Sequence, residues 1–278
     1  MTISGPVRAP LGRLLRAELR WVLRRPRTQI ALVLLALVPV VTGIGIAAAG
    51  SPIGAGLLTE VAGNGLVLPV VALSICLTLL LPLAVAMAAA DALAGEFAHG
   101  TLRGLLLAPV SRGRLVLVKS IGVLAVAVAA VAAVAMLGII TGLILVGPSS
   151  SAHGMLTLSG TEIGPGSALL RVTLAAVWTV GQLAAVGAVA LAVSSATDHP
   201  LVVLAAVLSG LIGFGVLSAI PALDWLRPVL LTTGWLAVTD VLRDPLPLAG
   251  LISSSIRAGC YVLVGVALTL AIMATRDA

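Results

Sequence analysis

Residues 91–119 read DALAGEFAHGTLRGLLLAPVSRGRLVLVK and interrupt an otherwise apolar length of chain. Residues 66–90 ahead of them hold no Lys, Arg, Asp, Glu or His, and neither do residues 120–147 behind them. Each run exceeds the roughly 20 apolar residues that cross a bilayer core about 30 Å thick. Both are therefore expected to span a membrane, with the charged piece between them emerging into water. Arg103, Arg112, Arg114 and Lys119 lie close to its membrane ends, which assigns it to the cytoplasmic side by the positive-inside rule.

Within this loop, Leu102, Leu105 and Leu106 recur at helical spacing, so a helix there carries one apolar stripe with Arg103 off it. Gly100 breaks what precedes, Thr101 suits an N-cap, and Pro109 ends the helix by disfavouring the α conformation at Ala108. Such a stripe fits either the lipid headgroups or a groove on a soluble partner.

The order Glu96, Gly100, Thr101, Leu102, Leu105, Leu106, Pro109, Val110, Ser111, Arg112 and Lys119 resembles the signature of type-2 permeases of ATP-binding-cassette (ABC) transporters. In that superfamily the matching segment between the second and third spans is the coupling helix, which docks on a separate nucleotide-binding subunit. The resemblance implies two paired permease copies, identical or related, above two ATPase subunits that bind ATP and Mg. It also implies that Glu96 anchors the coupling region and that Leu102, Leu105 and Leu106 fill a groove on the ATPase. Arg112 and Lys119 are expected to fix the loop to headgroups.

Composition agrees on class. The chain has 278 residues, of which 60% are apolar types and 9% charged, and a mean hydropathy of +1.22. A soluble domain carries about a quarter charged residues, so this is an all-α polytopic membrane protein with little mass outside the bilayer. Its apolar runs are continuous, whereas a transmembrane barrel shows alternating segments of about ten residues. The net charge of +6 sits at membrane edges rather than in a basic patch interleaved with aromatics, so a nucleic-acid partner is not expected. Cys76 and Cys260 form no metal-ligand spacing and read as small packing residues.

Taken in order, residues 1–27 set Leu11, Leu14, Leu15, Leu19, Val22 and Leu23 on a stripe between arginines, an amphipathic helix for the membrane interface. Arg20, Arg24, Arg25 and Arg27, with Arg114 and Lys119, are its candidate headgroup anchors. A signal peptide competes, but the basic region is too long and the apolar run after it exceeds the usual 7 to 15 residues. Six spans follow, at about 28–49, 66–90, 115–146, 168–193, 200–220 and 257–274, in one transmembrane domain. Residues 91–114 form the cytoplasmic coupling loop. Residues 221–256 are broken by Pro221, Pro228, Pro245 and Pro247 and read as short helices on the outer side, with Trp225 and Trp235 suited to the interface. The type-2 permeases look similar there. Arg171 is expected to reach the headgroups at the outer edge of span 4. Twelve cations fall on inside segments and four outside, giving both termini cytoplasmic in an inner or plasma membrane.

Gly138 and Gly142 form a small-xxx-small pair, available for packing within one subunit or for dimerisation. Gln182 is the most polar side chain inside a span, where a bond between helices is its ordinary use. His153 lies in a connection and reads as solvated. No phosphate-cradling GxxxxGK[ST], HExxH or Cys/His cluster occurs, so no enzyme activity, cofactor or metal is expected in this chain. The charge-free spans weakly favour a hydrophobic or amphipathic cargo such as a drug, lipid or peptide. A non-transporting membrane scaffold or assembly subunit is the second reading.

Overall fold

The computed structural model describes residues 11–49, 64–98, 112–147 and 155–275. The first helix, α1 (Leu11–Arg24), turns Leu11, Leu14, Leu15, Leu19 and Val22 inward and leaves Arg13, Arg16, Arg20 and Arg24 exposed. It is the expected amphipathic helix. Arg25 is not helical, because a residue before proline is pushed away from the α conformation. Pro26 then opens α2 (Pro26–Ala49), which runs through Pro39 without a break.

The second span is not one helix. After a short 3₁₀ turn at Gly65–Val67 come α3 (Leu68–Thr78) and α4 (Leu80–Ala92), interrupted at Leu79 with φ −148° and ψ −48°. Pro82 explains the position: its ring collides with the carbonyl four residues earlier, that of Thr78, and it offers no N–H to bond it. A second interruption at Leu93 precedes α5 (Ala94–Ala98). The amide of Ala94 donates to Ser194 Oγ at 3.0 Å, and Ser194 Oγ donates on to Ala90 O at 3.4 Å. Helical structure therefore continues past residue 90, where the loop was expected to begin.

The third span is α6 (Arg112–Thr141), finished by a π turn at Gly142–Val146. A two-residue hairpin pairs β1 (Met155–Leu156) with antiparallel β2 (Glu162–Ile163). Next come α7 (Pro165–Ala196) and α8 (Pro200–Ala219), each with a proline in its first turn, as Pro200 predicted. Two 3₁₀ segments, Pro221–Leu226 and Leu231–Leu242, lead to α9 (Leu248–Thr275). Among the described residues, six helical stretches, with α4 and α5 taken together as one, are long and apolar enough to cross a membrane, in keeping with an all-α polytopic membrane protein.

The last span starts nearer residue 248 than 257. Ser253, Ser254 and Ser255 return their hydroxyls to Gly250 O or Leu251 O, so a polar stretch that looked like loop is helical. Arg257 lies well inside α9, where its guanidinium donates to Leu230 O at 2.6 Å and to Thr233 Oγ1 at 2.5 Å. The 3₁₀ segment thus dips toward the span with its free carbonyls answered by protein, the condition under which irregular backbone is tolerated at membrane depth. Trp235 is buried in this segment, against the expectation of an interfacial side chain, whereas Trp225 is exposed.

The core lies among α3, α4, α6 and α7, while α9 packs along α7 and α2 along α6. Gly138 meets the Pro69 backbone, where an added Cβ would sit 2.7 Å from Pro69 Cα. Gly142 meets Gly65, where a Cβ would sit 2.0 Å from its carbonyl oxygen. Both small residues are used for close approach inside one chain.

Candidate functional site: a buried ion cluster at the basic end

One end of the bundle carries α1, the close of α4, all of α5 and the start of α6, and we call it the basic end. Residues 99–111, which hold Gly100, Thr101, Leu102, Leu105, Leu106 and Pro109, lie outside the described residues. Glu96 and Arg112 lie on the elements from which that segment leaves and to which it returns.

Lys119 is the centre of this end. It sits about two turns into α6 and one turn beyond Leu115, only 3% exposed. Its Nζ donates to Glu18 Oε1 and Oε2 at 3.0 and 3.2 Å and to Glu96 Oε1. This corrects the expectation that Lys119 reaches headgroups. Periodicity explains the burial, since Leu115, Val116, Gly122 and Val123 share its face and are buried as well. Glu18 stands on the inward stripe of α1, so the stripe that looked purely apolar carries one acid into contact with the bundle. One cation thereby joins three elements that are far apart in sequence.

A second layer of charge surrounds it. Arg25 pairs with Asp91 at 3.0 Å, and its guanidinium lies 3.2 Å above the Trp21 ring centroid. Lys119 Nζ is 5.3 Å from the same ring, within the range of cation–π attraction. Burial pulls the Arg25 guanidinium below its ordinary pKa, opposed by the charges of Asp91, Glu96 and Glu18. It remains a cation, since arginine does not deprotonate in proteins. Arg25 is thus turned to Asp91 and Trp21 rather than to headgroups. Arg27 is 3.8 Å from Asp91 with its side chain 76% exposed, and Arg20 and Arg24 are exposed on α1. Arg114 is half-buried on α6.

Arg112 also differs from its expected headgroup role. Its guanidinium donates to Met273 O at 2.8 Å and to Ala274 O at 2.6 Å, satisfying carbonyls left over at the end of α9. Phe97 packs with Leu115, Val116 and Met273 just beneath. The basic end therefore joins α1, α5 and the start of α6 to the last turn of α9.

A family model described as ABC-2 family transporter protein matches residues 14–190. The chain belongs to that family. No curated protein matches it. The matched length runs from α1 into α7, so Glu18, Asp91, Glu96 and Lys119 all fall inside the ABC-2 region. Family membership makes the chain an ABC transporter permease and implies association with an ABC ATPase subunit.

At the opposite end the polar contacts have another character. Asn64 Nδ2 donates to Leu156 O at 2.7 Å, and the Leu158 amide to Leu242 O at 2.8 Å. Arg171, expected at the headgroups, instead donates to Val241 O, to Arg243 O and to Asp244 Oδ1, the last at 2.6 Å. In the middle of α7, Gln182 is 1% exposed, and neither Oε1 nor Nε2 has a hydrogen-bond partner among the described residues. The expected bond between helices is not made. His199 is exposed, and His153 lies outside the described residues. No group of three or more His, Cys, Asp or Glu suited to a metal occurs among the described residues.

Proposed function

We propose that the chain is the permease of an ABC exporter whose separate ATPase subunit docks at the basic end and drives transport. What carries this reading is the ion cluster of Glu18, Glu96 and Lys119 beside the segment with the type-2 coupling pattern. A helix that receives force must be held stiffly to the spans it moves. Two carboxylates on one buried ammonium give such a joint, because separating them strands a charge in a poorly hydrated place.

In this reading the basic end faces the cytoplasm, both termini lie on that side of an inner or plasma membrane, and a second permease copy completes the pathway. ATP and Mg are bound by the partner, and this chain catalyses no reaction of its own. The cargo is hydrophobic or amphipathic, in keeping with spans whose cations are turned to protein groups rather than to a central charged path.

Leu105→Asp tests the docking role. The variant is expected to insert into the membrane at wild-type level and to lose stimulation of the ATPase subunit. Full stimulation by that variant would contradict docking through Leu105.

A further inference from the structure

A groove opens sideways between α2 and α4 near the basic end, with a volume of about 580 Å³. Ile30, Leu34 and Leu35 form one wall, Leu80, Leu83 and Met87 the other, Leu204 of α8 joins them, and Arg27 is the only charged group of the lining among the described residues. From Arg27 to Leu35 the helix rises about 12 Å. One leaflet of the hydrocarbon core is about half of 30 Å, so the groove has the depth of a single leaflet. An apolar slot of that depth with a cation at its water end has the shape of a lipid.

Arg27 also lines a second hollow, of about 520 Å³, with Trp21, Arg25, Asp91 and Glu96. Its cations are unequally held. Asp91 holds Arg25 at 3.0 Å and approaches Arg27 only to 3.8 Å, so one carboxylate faces two guanidinium groups. Glu96 is engaged by Lys119. Counting Glu18, which also holds Lys119, three acids meet three cations here. Arg27 is the most loosely held of the cations, with its side chain 76% exposed, and the exposed Arg20 and Arg24 of α1 add positive potential around it. The Trp21 ring is partly exposed beside it, a position aromatic side chains favour at the level of headgroups.

We propose that the groove binds an anionic phospholipid from the leaflet at the basic end, with an acyl chain between α2 and α4 and the phosphate on Arg27. Basic pockets between spans take acidic headgroups in this way. An occupant here would press on α2 and α4 next to Asp91, at the root of the ion cluster, and so would brace the coupling end. The inference needs the membrane fold but no ATPase partner, so it can fail while the permease reading stands.

The test is native mass spectrometry of the full chain released from bilayers of equimolar phosphatidylglycerol and phosphatidylcholine. One phosphatidylglycerol per chain is expected to be retained, with a preference over phosphatidylcholine of about fivefold, the size that one basic residue at an anionic surface supplies. Arg27→Gln is expected to abolish the preference and Arg27→Lys to keep most of it. Ala31→Trp, or Leu83→Trp from the facing wall, is expected to remove the lipid altogether while the variant stays monodisperse. Equal retention of both lipids by the wild type, or undiminished preference in Arg27→Gln, would overturn the proposal. So would efficient disulfide linkage of two Leu34→Cys copies in the membrane with no lipid retained, which would make a second chain the occupant.

Discussion

The two ends of this bundle solve the same problem, polar groups at the edge of a membrane, with opposite chemistry. At the basic end, Arg112 aside, side-chain charges answer side-chain charges: Lys119 with Glu18 and Glu96, Arg25 with Asp91. At the other end the exposed Arg227 and Arg243 pair with acids three residues away on their own segments, while the two arginines that join elements distant in sequence answer mainly backbone. Arg257 serves Leu230 O, and Arg171 serves Val241 O and Arg243 O with Asp244 beside them. A carbonyl cannot leave its chain, so the second arrangement fixes irregular 3₁₀ segments in place. An ion pair between separate elements holds them together until something competes for the charge. The first is suited to a joint that carries load and the second to a cap.

Breaking the joint should therefore cost most. Lys119→Met leaves two carboxylates together and buried, and removing one partner of a buried ion cluster typically costs about 3–5 kcal/mol. A large fall in the detergent melting temperature is expected, together with rapid proteolysis of the residues preceding α2. Glu96→Gln sharpens the point: Lys119 retains Glu18, so the loss should be clearly smaller than for Lys119→Met. Equal losses would mean that Glu18 and Lys119 are not coupled.

Damage to the cap should rank next. Arg257→Met removes the donor to Leu230 O, and a buried carbonyl left without its partner costs about 1–3 kcal/mol. Thermal unfolding should report that loss, while α1 remains protected from protease. The smallest effect belongs to Arg24→Gln. Arg24 is exposed and makes no ion pair among the described residues, so its stability change should stay within about 0.5 kcal/mol.

Most of the architecture is legible in the sequence, and for a simple reason. Charge-free runs longer than a bilayer core admit one reading, and the stripe of α1 follows from leucines at helical spacing among arginines. The interruption at Leu79 was within reach, because Pro82 clashes with one carbonyl in particular, that of Thr78. What is not legible is the choice of partner. Lys119 looks like a headgroup anchor because its neighbours in the sequence are basic and it stands at a membrane edge. Glu18, which captures it, lies on another helix, and its approach depends on how α1 docks against α6. Arg257 misleads in the same way: its charge marks the start of a span by local rules, yet it is stabilised deep in α9 by Leu230 and Thr233. Hydropathy locates a helix in the membrane, and tertiary contacts decide what its charges touch.

The most direct test of the account is gentle detergent extraction of this chain from its native membrane, followed by mass spectrometry of whatever accompanies it. The account predicts a companion subunit with a Walker-type ATPase sequence, held by the wild type and lost with Leu105→Asp. A chain that purifies without any ATPase, under conditions that keep Lys119 paired and the bundle folded, would contradict it.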